Sequence, residues 1–598
     1  MPSERLRVIG NSELLLCSGG ADIPIVRAPS VAPSFCSFSM EKERFELKSA
    51  YHGREKLFRH TFYSDGLKAA ELFDSFDGDS AVFVRRCICY EELEFSFAFE
   101  KQITVFFDSA LKTSRAGYPA LCLCLPARSA VPGFTPSAED RFLMIAFCGS
   151  VDFDSESASG RFLIGESSMI ICADTDPNRL YSRAVAALGH YSQLAGILPK
   201  LTTPEDNDPE EYINALISMT NERGFVLCDP TRLSIDPMTQ YFAVRAFLHA
   251  GKIKRARTII DSYCRIFSEK GSILWCEEGG RRTLRSAFDA SVTYALIILA
   301  ALSFPTGALT ERQISVLCDM MKAQKLLLAN NMMPFNGNEG EPEAMFLPYQ
   351  GSALATLLFI QSGRELSGFL KNSGSSRLED IERSVDTAAA CFHENFIKDG
   401  IPFLNCPTRD VLKAQPRFKF GYCEYCSPRT ADPQPRWVCK NHGGMYLCPD
   451  CVKKVPGAAH RPHLDRNARR ISYNTVLLAA LLGSDVYPRG LVRQIASSLI
   501  SYPSGITSCF EAATLCYVAR RYELDKKYVD MADSILFTKE KQADVFELRK
   551  DTESRLFSVF DSKSYAVMYT TFEYHALPKR KTKKRPEGAM FTQMKDVE

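Results

Sequence analysis

The chain has 598 residues, 45% of them hydrophobic and 24% charged, with a formal net charge of +2. That length exceeds one ordinary core and implies two to four domains, and the near-neutral balance excludes the global field that a nucleic-acid or membrane-surface partner would need. No stretch approaches the ~20 apolar residues of a membrane span, and Met1–Gly20 lacks an apolar run of signal-peptide length, so a cytoplasmic protein is expected.

The first stretch, residues 1–175, reads as strands. In "LEFSFAFE", Leu93, Phe95, Phe97 and Phe99 alternate with Glu94, Ser96, Ala98 and Glu100, a period of two with one dry face. "RFELK", "ITVFF", "ALCLCL", "RFLMIAF" and "RFLIGESSMIICA" are further strand candidates, some separated by turn-rich segments such as "FDGDS". Many strands with no helical period between them predict a β-sandwich.

From "DPNRLYSRAVAALG" onward the period becomes helical. "PMTQYFAVRAFLHAG", "IKRARTIIDSYCRIF", "AFDASVTYALIILAAL", "TERQISVLCDMMKAQKLLLAN" and "YQGSALATLLFIQSG" follow one another, and "YNTVLLAALLG", "RGLVRQIASSLIS", "CFEAATLCYVARRYE" and "KKYVDMADSILF" come later. About a dozen helices, paired by short loops, are expected. Several are apolar over most of their surface, so they should be buried between other helices. An α-solenoid is the alternative, although no fixed-period repeat is evident. Near the end, "SRLFSVFDSKSYAVMYTTFEY" reads as a hairpin turning at Asp561–Ser564, and Lys579–Arg585 is a basic run of the kind usually found in solvated tails.

Cysteine usage divides in two. Sixteen of the 21 cysteines are scattered, mostly in apolar surroundings, and read as reduced, buried small hydrophobes. The other five lie between Cys423 and Cys451 in regular spacing. Cys423 and Cys426 form CxxC, Cys439 and His442 form CxxH, Cys448 and Cys451 form a second CxxC, and His460 and His463 form HxxH. Eight such ligands suffice for two tetrahedral zinc ions, since a two-residue gap lets one turn offer two ligands to one ion. The segment between them is rich in Pro, Gly and charge, so metal would substitute for a core. The closed ligand set leaves no position for a catalytic water, so a structural role is preferred over a partner-reading one.

This succession resembles the cross-braced zinc modules of the ZZ and B-box type, with histidine rather than the more usual cysteine at His442. The resemblance implies that Cys423, Cys426, Cys448 and Cys451 bind one zinc, while Cys439, His442, His460 and His463 bind the second. A single-zinc module using the four cysteines is the fallback. A protein partner held through the module is possible in principle; nucleic acid is disfavoured, because "CVKKVPGAAHRPH" is only mildly basic.

A strand-rich start followed by paired helices resembles the six-hairpin glycosidase superfamily, of glucoamylase-like architecture. The fold class implied is multidomain α+β: an N-terminal β-sandwich (1–175), then an (α/α)6 toroid in two parts (176–405 and 471–545) with an inserted zinc-binding module (406–470), and a C-terminal hairpin and basic tail (546–598). Two segments carry local likeness. "GSILWCEEGG" is similar to a Leu-Trp-Glu-Glu segment bearing the general acid, with Cys276 interposed. The second, "MPFNGNEGEPEAMFLPYQGSALATLLF", is similar to a carboxylate-bearing loop and the helix after it.

Glycosidic cleavage needs an acid to protonate the leaving oxygen and a second carboxylate on the other face of the sugar. The resemblance offers Glu277 as the acid, its pKa raised by burial or by Glu278 beside it. Glu339 is the favoured second carboxylate, ahead of Glu341 and Glu343. Trp275 would stack on sugar, and Glu278 and Asp289 would bind substrate. Asp229 and Asp236 would line another mouth loop. For each carboxylate the plain alternative is a solvated surface acid, and for Trp275 an ordinary core residue. No phosphate-binding GxxxxGK[ST] loop and no GxSxG elbow is present. The expected substrate is an oligosaccharide or glycoconjugate, with lyase or phosphorylase chemistry also open. The rival reading is a non-catalytic scaffold that binds a glycan or a protein.

Overall fold

The computed structural model describes residues 6–189 and 209–542 with breaks, the widest being 126–139, 334–348 and the stretch 408–472, of which 437–439, 445–447 and 463–464 are described. The expected C-terminal hairpin and basic tail, 546–598, lie outside the described residues.

Fifteen strands come first among the described residues. They are β1 (Leu6–Gly10), β2 (Leu15–Gly19), β3 (Asp22–Arg27), β4 (Cys36–Met40), β5 (Glu46–His52), β6 (Leu57–Ser64), β7 (Leu67–Asp77), β8 (Val82–Cys89), β9 (Leu93–Phe99), β10 (Thr104–Asp108), β11 (Leu111–Lys112), β12 (Gly117–Tyr118), β13 (Ala120–Leu125), β14 (Arg141–Asp154) and β15 (Ser159–Asp174). All but the small β11–β12 hairpin belong to one 13-stranded antiparallel sheet. The two layers expected of a sandwich are therefore branches of a single curled sheet. One branch runs β1-β2-β3-β4-β9 and the other runs β5-β6-β7-β8, and both meet on β15.

Two long strands make this possible. The first part of β15, Ser159–Phe162, pairs with β9, and its second part, Gly165–Cys172, pairs with β8. Its partner β14 shifts register between Gly149 and Val151. Such a bulge bends a strand and sharpens its twist. Gly149 sits there at φ +87°, and a Cβ on it would lie 2.3 Å from the Glu166 carbonyl oxygen, so glycine is required.

The branches enclose one core. Phe62, Leu72 and Phe83 come from one branch, Phe38, Phe95 and Phe97 from the other, and Phe147 and Phe162 from the shared strands. Ring centroids of Phe95 and Phe162 are 4.6 Å apart, and those of Phe38 and Phe97 are 5.0 Å apart. The alternation read in β9 holds: Leu93, Phe95 and Phe97 are buried while Glu94, Ser96 and Ala98 are exposed. Every cysteine assessed among the described residues is a free thiol. Burial pushes the Cys172 thiol up to about 12, as suits a small hydrophobe.

Twelve helices follow among the described residues. Helix α1 (Pro177–Gly189) packs Leu180 and Ala184 on the outer face of β13–β15, and α2 (Pro209–Ser218) packs near β1. Ten more form five consecutive pairs: α3 (Pro237–His249) with α4 (Ile253–Lys270), α5 (Ala287–Leu302) with α6 (Glu311–Leu326), α7 (Ala353–Asn372) with α8 (Glu379–Phe396), α9 (Tyr473–Leu481) with α10 (Arg489–Ser501), and α11 (Cys509–Arg521) with α12 (Lys526–Gln542).

Contacts sort them into two layers. The first member of each pair touches the next first member (α3–α5–α7–α9–α11), while α4 touches α6, α6 touches α8 and α10 touches α12. Composition explains the sorting. The helix α5, "AFDASVTYALIILAAL", carries one charge, Asp289, and suits the inner layer; α4, "IKRARTIIDSYCRIFSEK", has one apolar stripe and suits the outer. Leu15 and Cys17 of β2 join the helical core and so attach the sheet to it. Among the described residues no helix is long and apolar enough to cross a membrane.

Candidate functional site at the inner-helix starts

Alternation of inner and outer helices fixes where the connections fall. Passages from an inner helix to its outer partner are short: 250–252, 303–310, 373–378, 482–488 and 522–525. Three passages from an outer helix to the next inner one are long: 271–286, 327–352 and 397–472. Antiparallel pairing puts every long passage at the end where inner helices begin. All the residues singled out for sugar chemistry or zinc binding belong to these passages, to Asp289 in the first turn of α5, or to the passage before α3.

The α4–α5 passage contains a two-stranded ladder in which Trp275 pairs with Thr283 and Cys276 with Arg282. Glu277 and Glu278, next in sequence after Cys276, lie outside the described residues, as do Asp229 and Asp236 before α3. Asp289 is the third residue of α5, in the turn where a carboxylate is favoured by the helix dipole.

The α6–α7 passage is anchored at both ends. Asn330 and Asn331 take left-handed φ of 51° and 62°, a conformation Asn tolerates, and turn the chain out of α6. The Met333 amide then donates to Thr356 Oγ1 at 3.0 Å, and the Ser352 amide donates to the Met333 carbonyl at 2.9 Å. Ser352 Oγ accepts from the Ala355 amide at 3.3 Å, capping α7. A Cβ on Gly351 would lie 2.8 Å from Met332 Sδ and 3.0 Å from Phe396 Cζ, so the chain passes tightly between the end of α6 and the end of α8. Glu339, Glu341 and Glu343 lie between these anchors, outside the described residues.

A second ladder ties two passages together. Tyr349, Gly351 and Ser352 pair with Pro407, Cys406 and Asn405. The end of the Glu339 passage is thereby joined to the start of the passage carrying the cysteine–histidine cluster. Within that cluster the described backbone is a three-stranded antiparallel sheet of Trp437–Cys439, Met445–Leu447 and His463–Leu464. Cys439 pairs with Met445, and Val438 with His463, so two of the eight proposed ligands stand on neighbouring strands. The other six, Cys423, Cys426, His442, Cys448, Cys451 and His460, lie outside the described residues. Among the described residues no group of three or more His, Cys, Asp or Glu could hold a metal ion.

The passage before α3 is clasped by Gln240, which is buried. Its Nε2 donates to the Val226 carbonyl at 2.6 Å and its Oε1 accepts from the Val226 amide at 2.9 Å. Farther round, Gln324 of α6 donates from Nε2 to the Ser291 carbonyl of α5 at 2.9 Å. Buried amides and hydroxyls thus hold this end in register through paired hydrogen bonds. Sequence reading missed these clasps, because a Gln or Thr inside an apolar helix carries no periodic signal.

No family model matches the chain, and comparison with curated proteins returns no match. Among solved structures the chain is similar to a bacterial glucoamylase complexed with acarbose, at 10% identity and a TM-score of 0.53, covering 96% of this chain and 92% of that one. An α-1,6-mannanase from Salegentibacter aligns at 9% identity and TM-score 0.33, covering 62% of this chain and 97% of its own. An α-L-rhamnosidase from Streptomyces avermitilis complexed with L-rhamnose aligns at 9% and 0.34, covering 91% and 58%. The first of these likenesses extends over nearly the whole chain and is one of fold.

Proposed function

We propose that the chain is a carbohydrate-active protein, a glycoside hydrolase acting on an oligosaccharide or glycoconjugate in the cytoplasm. The observation that carries the reading is the convergence of the passages bearing Trp275, Glu277 and Glu339 on one end of a helical double layer, in a fold similar to that of a glucoamylase. Glu277 acts as general acid and Glu339 as the second carboxylate. Trp275 offers a stacking face, and Glu278 and Asp289 hold substrate hydroxyls. Closing the helices into an (α/α)6 toroid would give these groups a common hollow. The test is incubation of the full chain with a panel of oligosaccharides, following release of reducing ends. Turnover of one class supports the reading; no turnover, with saturable glycan binding retained, favours the non-catalytic scaffold.

The cysteine–histidine segment is proposed as a structural zinc module at the rim. Thiolate and imidazole donors suit zinc, and the ladder through Asn405–Pro407 links the start of its passage to the Glu339 passage. When bound, two zinc ions would supply the cohesion that a segment rich in Pro, Gly and charge draws little of from apolar residues. Metal analysis of the full chain is expected to find two zinc ions per molecule, falling to one when Cys423 and Cys448 are changed to Ser. A zinc-free protein would contradict this.

A further inference from the structure

A serine, a histidine and an aspartate stand in line at the β5 edge of the sheet. Ser49 on β5 is opposite His60 on β6, and β6 in turn pairs with β7, which carries Asp74. Ser49 Oγ lies 2.8 Å from His60 Nδ1, and His60 Nε2 lies 3.3 Å from Asp74 Oδ2. Arg85 on β8 donates to both Asp74 oxygens at 2.6 Å, and these charge-assisted bonds keep the group a carboxylate. A carboxylate only accepts, so the proton of the neutral imidazole sits on Nε2 and Nδ1 is left to accept from the Ser49 hydroxyl.

Burial differs along the line. His60 is 1% exposed and Asp74 is fully buried, so the base and the group that orients it are held by the core. Ser49 is exposed. A serine hydroxyl is a weak nucleophile until an adjacent base can take its proton, and that base works best when a third group fixes its orientation. Ser39 offers a contrast within the same sheet: it is also exposed, but its hydroxyl meets the hydroxyl of Ser96, at 3.0 Å. Strand β5 ends the sheet, with β6 its one strand neighbour among the described residues. Alternate amides of an edge strand face outward, so either the Ser49 amide or those of Lys48 and Ala50 can donate to an oxygen held beside the hydroxyl.

We infer that Ser49 is a nucleophile, with His60 as its base and Asp74 orienting the ring, and that it takes the acyl group of small activated esters that reach the sheet edge. Ser49 Oγ bonds to the acyl carbon as its proton passes to His60 Nδ1. The bond from that carbon to the leaving oxygen then breaks, and the departing alcohol takes the proton. Water repeats the sequence on the acyl-serine, releasing the acid and restoring the hydroxyl. This site lies in the sheet and does not depend on the glycan reading of the helical layer.

Labelling the full chain with a fluorophosphonate tests it, since Ser49 would displace fluoride from phosphorus while His60 takes the proton. An adduct located at Ser49 by peptide mass is expected, forming about 10²-fold faster than any at Ser39. Ser49→Ala should abolish that adduct and the burst of p-nitrophenol from p-nitrophenyl acetate, whereas Ser39→Ala should change neither. His60→Gln, checked by its melting temperature, should slow labelling of Ser49 by about the same factor. Where that variant fails to fold, the comparison of Ser49 with Ser39 in the unaltered chain gives the reading. Labelling at Ser49 no faster than at Ser39, or as fast in folded His60→Gln as in the unaltered chain, would overturn the inference and leave His60 a core histidine satisfied by two hydrogen bonds.

Discussion

Replacing Asp74 by alanine is expected to lower the stability of the protein by about 3–5 kcal/mol, because it leaves a buried cation without its partner. Asp74 on β7 and Arg85 on β8 are both fully buried between the branches of the sheet. Arg85 donates from Nε to Asp74 Oδ1 and from Nη2 to Oδ2, each at 2.6 Å, and from Nη1 to the Ala21 carbonyl at 2.5 Å. The guanidinium also faces the Phe38 ring at 5.2 Å. His60 Nε2 approaches Asp74 Oδ2 at 3.3 Å, and its Nδ1 meets Ser49 Oγ at 2.8 Å, so the pair is the inner end of a chain reaching the exposed edge strand β5. Removing both charges together, as Asp74→Leu with Arg85→Met, should recover much of the loss, since a well-packed apolar pair often equals a buried ion pair. Urea unfolding of the two single variants and the double one measures this. If Asp74→Ala costs under about 1 kcal/mol, the pair contributes no more than an exposed one would.

The pH dependence follows from the same geometry. Desolvation pushes the Asp74 carboxyl up, but the charge and hydrogen bonds of Arg85, helped by His60, outweigh it and hold the group at about 2, below its ordinary 3.8. A depressed folded-state value means that this contribution is fully present above about pH 4 and is lost as pH falls toward 2. Acid titration of Asp74→Asn should lack that part of the wild-type decline.

The larger expected effect on activity is at Glu277. Changing it to Gln should lower kcat by about 10²–10⁴ while leaving glycan binding in place, since the amide keeps the shape but cannot deliver a proton to the leaving oxygen. Glu339→Gln should do likewise by removing the base or nucleophile. The two losses should not add, because the carboxylates act on one bond. Turnover that survives both substitutions would dismiss these two residues. A loss confined to KM would make Glu277 a binding group instead.

How much of this was legible depended on what kind of signal each feature leaves. The helices at 287–302 and 489–501 are bounded as their periodicity predicts, since apolar spacing and caps are local. The alternation in Leu93–Phe99 is likewise local and holds. That β4–β9 and β6–β8 belong to one curled sheet was not legible, because it rests on pairings such as Cys36 with Phe99 and on the bulge at Gly149, both set by distant residues. Helix α8 escaped the sequence reading because the charges in "EDIERSVDTAAACFHENF" dilute its apolar face, which an outer-layer helix needs on one side only. Nothing in the sequence marks Asp74 and Arg85 as a buried pair; only the register of β7 and β8 sets them opposite each other. The placement of Glu277 and Glu339 in passages at one end follows from helix alternation, but the distance between their carboxyls does not.

That distance is the most direct test. A crystal structure of the full chain, soaked with an uncleaved oligosaccharide, should place the Glu277 and Glu339 carboxyls about 5–9.5 Å apart across the bound sugar, the span glycosidases use. Carboxyls much farther apart, or a sugar seated elsewhere on the helical layer, would contradict the account.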